Sequence, residues 1–142
     1  MAGVLLGLQL LLAPAARADA PAASGTPRAA TPFKPADEFE RLEFVGRAQP
    51  EVGSAGLLRY LQTLRMEEPR YLQALMELGS EYVRLNRGDD VEQTAVRIEA
   101  LSDRLPLARP AAMLLRGQWL QTHGEVSRAE RQIIEAQALL PV

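Results

Sequence analysis

Residues 119–141, WLQTHGEVSRAERQIIEAQALLP, hold a single glycine, Gly124, between two stretches with helical spacing, and Pro141 closes the second. A glycine is favoured where a helix ends in a left-handed residue. Upstream, residues 110–122 place Met113, Gly117 and Leu120 on one stripe and Leu115 with Trp119 on another. A helix that is apolar on two faces packs between neighbours. Pro110 suits its first position. Downstream, Val126, Ala129, Ile133, Ala136 and Leu140 form one stripe, and the opposite face carries Arg128, Arg131, Gln132 and Glu135. The segment therefore reads as a helical hairpin with a tight turn.

The same grammar occurs one unit earlier. Pro69 opens a stretch with Leu72, Leu75, Met76, Leu78, Gly79, Tyr82 and Val83. Residues 86–90, NRGDD, break it, with Gly88 as the expected stop and Asp89 or Asp90 as cap of the next helix. That helix carries Val91, Thr94, Ala95, Ile98, Leu101, Ser102 and Leu105 and is closed by Pro106. Gly88 and Gly124 are 36 residues apart, Pro106 and Pro141 are 35 apart, and Gly79 and Gly117 are 38 apart. A period near 35 marks a helical repeat array. A third, more degenerate unit lies upstream. Residues 37–47 carry Phe39, Leu42, Phe44 and Val45; residues 48–54 read as a turn with Ser54 as N-cap; Leu57, Tyr60, Leu61 and Leu64 follow.

The last unit resembles a tetratricopeptide repeat. Gly117, Gly124, Ala129, Ala136 and Pro141 stand at that family's small, turn and closing positions, with Met113 at its large position. The middle unit matches at Leu75, Leu78, Gly79 and Tyr82, then needs a turn about two residues longer, with Thr94 and Leu101 at the small positions. The first unit matches only as an amphipathic pair. The resemblance implies an all-α fold, a right-handed superhelix of about three antiparallel helix pairs, with units at residues 36–68, 69–106 and 107–142. It also implies a concave face lined by the first helix of each pair. That face would present Gln73, Met76, Ser80, Val83 and Arg84, then Leu114, Gln118, Gln121 and Thr122. Members that bind acidic C-terminal peptides use Lys and Asn where Met76 and Ser80 stand, so that docking activity is not expected.

Residues 1–18 read as a secretory signal. Val4 to Leu12 is a short apolar run ending at Pro14, followed by Ala16-Arg17-Ala18. A span would need about 20 apolar residues. Cleavage after Ala18 removes one Arg and no acid, taking the net charge from -2 to -3, which argues against nucleic acid as a partner. Residues 19–35, rich in Pro, Ala, Ser and Thr, read as a flexible linker. With no cysteine there is no disulfide framework and no thiolate metal site. The one histidine, His123, lies at a helix end, where its charged form suits the helix dipole, and has no second metal ligand in sequence. The one lysine, Lys34, lies in the linker, so no phosphate-binding loop is present. The acidic pairs Glu67-Glu68 and Asp89-Asp90 sit where helices begin.

These readings point away from catalysis, metals and cofactors. They favour an exported, periplasmic scaffold that binds a protein or peptide through the concave face. The alternative is the sensory segment of a longer membrane-anchored signalling protein such as a diguanylate cyclase. Ile134, Ala138 and Leu139 lie off the main stripe of the last helix, on a side a further unit would cover; such an edge is expected to be covered by a continuing chain, by a second copy or by a partner, the first two being favoured.

Overall fold

The computed structural model describes residues 37–141, all of the expected helical region except its terminal residues; the expected signal and linker lie outside it. Six helices follow one another: α1 (Glu38–Ala48), α2 (Pro50–Leu61), α3 (Pro69–Arg84), α4 (Gly88–Glu99), α5 (Ala108–Thr122) and α6 (Val126–Ala138). The described residues form no strand, and the fold class is all-α. Each helix packs on the next. In addition α1 packs on α3, and α3 on α5. The odd-numbered helices thus make a layer, and the core lies between that layer and the even-numbered helices. Leu57, Leu75, Ile98 and Leu115 are completely buried there.

Asp37 caps α1 by accepting a hydrogen bond from the Glu40 amide at 2.9 Å. The first pair departs from expectation. Gln49 alone separates α1 from α2, Pro50 opens α2, and Ser54 is a buried residue inside that helix whose hydroxyl donates to the Glu51 carbonyl. Proline at a first helical position loses no intrahelical hydrogen bond, so Pro50 begins a helix here instead of marking a loop. Gly53 serves helix crossing: a methyl group there would lie 2.4 Å from Gly46 Cα.

The turn between α3 and α4 is also corrected. Asn86, not Gly88, is the left-handed residue, with φ 57°, and Gly88 is the first residue of α4. Asn is the side chain that best tolerates this conformation. Gly88 has a different duty, because a Cβ there would meet the Trp119 ring at 2.7 Å. Asp89 and Asp90 lie in the first turn of α4 without capping it; Asp90 accepts from Arg87 Nε at 2.7 Å.

This correction tightens the recurrence. Gly124, with φ 76°, occupies the α5–α6 turn as Asn86 does the α3–α4 turn, 38 residues earlier. The Arg87 amide bonds the Tyr82 carbonyl, and the Glu125 amide bonds the Leu120 carbonyl, both at 2.9 Å. Both turns therefore close with the same six-residue helix-ending hydrogen bond. The ends of α3 and α5, the starts of α4 and α6, and the pair Gly79 and Gly117 are likewise 38 residues apart. No lengthened turn is needed.

Two boundaries differ further. α4 stops at Glu99, and turns carry the chain through Leu101 and Leu105, which stay at least half-buried, well before Pro106. α5 begins at Ala108, so Pro110 is its third residue. Its missing N–H is still among the four that an α-helix leaves unpaired.

Candidate functional site

The small residues at mid-helix set how closely the odd helices approach. A Cβ at Gly79 would fall 2.4 Å from a Leu115 methyl, so α5 presses a leucine directly onto the α3 backbone. One interface earlier the corresponding notch is at Gly46, where a Cβ would fall 2.0 Å from Glu81 Oε1. A fully buried carboxylate therefore occupies the place that leucine takes in the next interface. Arg84 Nη1 donates to Glu81 Oε1 at 2.6 Å and lies 3.5 Å from Glu77 Oε1. Burial, the largest influence, raises the Glu81 carboxyl above its ordinary value, and Arg84 pulls the other way.

On the open side of the same layer the odd helices enclose a groove of about 520 Å³, within the range of about 300–1,000 Å³ usual for binding pockets. α1 supplies Phe39 and Glu43. α3 supplies Arg70, Leu72, Gln73, Met76, Glu77 and Ser80, and α5 supplies Pro110, Ala111 and Leu114. Leu107, before α5, and Leu140, after α6, complete the rim. The lining is mostly apolar.

Its charges are unevenly satisfied. Arg70 stacks over the Phe39 ring at 4.7 Å and pairs with Asp37 at 3.1 Å. Among the described residues Glu43 has no comparable partner: its carboxyl is raised by burial and by the nearby Glu77, with Arg47 and Arg70 opposing more weakly. Ser80 donates to Gln118 Oε1 at 3.2 Å across α3 and α5. These two residues are 38 apart, so equivalent positions of successive hairpins touch.

Of the residues expected on the concave face, Gln73, Met76, Ser80 and Leu114 line this groove. Gln118 meets it through Ser80. Val83 is buried instead, at 7% exposure. Arg84 is the counterion of Glu81, and Gln121 is exposed elsewhere on α5. Thr122 bonds the Trp119 carbonyl at 2.8 Å. The sequence reading missed Phe39, Glu43, Arg70 and Glu77. The signal for α3 was present: Arg70, Gln73, Glu77 and Ser80 follow helical spacing on one face. Ile134, Ala138 and Leu139 are all exposed, Ile134 at 63%.

His123 has a structural task. Its ring lies 3.8 Å from the Trp119 ring, Nδ1 is 2.9 Å from the Trp119 carbonyl, and Nε2 is 2.8 Å from Asn86 Oδ1. It thereby ties the end of α5 to the preceding turn. Among the described residues no cluster of His, Cys, Asp and Glu is arranged to hold a metal ion. No described helix is long and apolar enough to cross a membrane. Comparison with protein-family models, with curated proteins and with solved structures finds no match to the chain.

Proposed function

We propose that this protein is a tetratricopeptide-like scaffold that holds a polypeptide partner in the groove of its odd-numbered helices. The observation that carries the reading is the groove itself: α1, α3 and α5 all open onto it, and it gathers Gln73, Met76, Ser80 and Leu114. The 38-residue recurrence supports a solenoid of stacked pairs with a right-handed superhelical course. Such a stack presents its first helices as an extended surface, suited to a chain segment. The mixture of apolar, amide and charged groups is apt for backbone and side chains together. The apolar run at Val4 to Leu12 and the site at Ala16-Arg17-Ala18 support export to the periplasm, with a mature chain starting at Asp19.

Site-specific photo-crosslinking in the producing cell tests this reading. A photoreactive residue at Gln73, exposed in the groove, is compared with one at Val96, exposed on α4. The reading requires a discrete polypeptide adduct at Gln73 that is absent at Val96 and is lost on adding Leu114→Asp. Equal labelling at both positions would reject it.

A further inference from the structure

We propose that the groove's occupant is a polypeptide segment that combines aliphatic side chains with a Lys or Arg, the cation answering Glu43 and Glu77. This rests on the reading of the groove as a polypeptide site and names the chemistry of the partner.

The cations already beside the groove are engaged. Arg70 is committed to Asp37 and to the face of Phe39. Arg84 is committed to the buried Glu81 at 2.6 Å and reaches Glu77 only at 3.5 Å. Among the described residues no side chain donates a hydrogen bond to Glu43. Two half-buried carboxylates, one from α1 and one from α3, thus line the groove; among the described residues Glu43 has no hydrogen-bonded cation, and Glu77 shares Arg84 with Glu81. Glu77 adds to the burial that raises the Glu43 carboxyl. A carboxylate held partly out of water gains most from a cation that arrives with its own charge.

The floor sets the second requirement. Leu72, Met76, Ala111 and Leu114 offer an apolar bed, and methionine adapts to varied aliphatic shapes. A small polyamine would meet the carboxylates and leave this bed bare. An acidic segment would place like charges together, at a cost that selects against it. A segment with two or three aliphatic side chains beside one base satisfies both halves of the lining.

Random short peptides displayed on phage, panned on the full chain and in parallel on Leu114→Asp, test the proposal. Peptides enriched only on the unaltered protein should carry aliphatic residues with Lys or Arg. A synthetic peptide of the enriched sequence, followed by fluorescence anisotropy, should lose about fivefold in affinity with Glu43→Gln and again with Glu77→Gln, the upper end for partly exposed ion pairs. Its binding should also weaken as salt is raised. Circular dichroism melts of the variants separate lost binding from lost folding. Groove-dependent peptides that are acidic or uncharged, or whose affinity ignores both substitutions, would overturn the charge assignment and leave the groove reading standing. Enrichment that does not distinguish Leu114→Asp from the unaltered chain would overturn both.

Discussion

Glu81 is the residue whose environment most departs from its type. It is fully buried against Gly46, and its Oε2 has no hydrogen-bond partner among the described residues. Burial raises its carboxyl, so the folded chain binds a proton there more readily than the unfolded chain does. The sign follows: its favourable contribution is complete below the unfolded value of about 4.3, and it is lost as pH rises through the raised folded value. Glu81→Gln is neutral throughout. In thermal melts followed by circular dichroism, the melting temperature of Glu81→Gln should gain on that of the unaltered protein as pH rises above the ordinary carboxylate value of about 4.3. Parallel curves would show that Glu81 does not titrate differently on folding. Arg84→Ala should destabilise by about 1–3 kcal/mol, because it leaves a buried acceptor without its donor. A chemical denaturation series reads that loss. Neither role was legible in the sequence, where Glu81 looks like an ordinary surface charge and Arg84 was expected on the concave face. Only the neighbouring helix pair, with glycine at position 46, decides that one of them is buried.

Helices and their turns were legible where one residue type had one use. Gly124 is such a case: its φ is 76°, and no atom that a Cβ would meet lies within 4 Å. Backbone conformation alone favours glycine there. Gly124→Ala should therefore cost about 1–2 kcal/mol, the penalty of a left-handed alanine. At Gly117 the matter is space: a Cβ would lie 3.3 Å from Ile133 Cγ1, tight by a few tenths of an ångström, and in ordinary contact with the Ala129 carbonyl at 3.5 Å, so a larger side chain would press on α6. Gly117→Leu should overpack the α5–α6 hairpin and cost about 1–3 kcal/mol. Urea denaturation measures both; a stable Gly117→Leu would mean that the two helices are not held this closely. The first hairpin was misread because glycine has both uses. Residues 48–54 contain Pro50, Gly53 and Ser54, the composition of a turn. In the folded chain that glycine permits a helix crossing. Asn86 was passed over for the nearby Gly88 on the same grounds, although Gly88 makes room for Trp119. Composition signals that glycine is needed without saying whether the need is a backbone angle or a close neighbour.

At the scale of the whole molecule, the α3–α4 and α5–α6 hairpins share one register, and the contacts of α1 with α3 and α3 with α5 create the groove. On α3 and α5 the sequence pointed to Gln73, Met76, Ser80 and Leu114 of the lining and passed over Arg70 and Glu77. The part of the groove on α1 was not anticipated. Phe39 and Glu43 belong to the most degenerate unit, and the burial of Glu43 depends on helices distant in sequence. The groove and the shared register both require α5 to lie directly against α3. A nuclear Overhauser measurement on the methyl-labelled full chain tests this most directly. Leu115 and Gly79 are separated by 36 residues, yet a Cβ on Gly79 would fall 2.4 Å from a Leu115 methyl. The account predicts strong cross-peaks from the Leu115 methyls to the Gly79 α-protons. Leu115 methyls that show cross-peaks to other residues and none to Gly79 would contradict it.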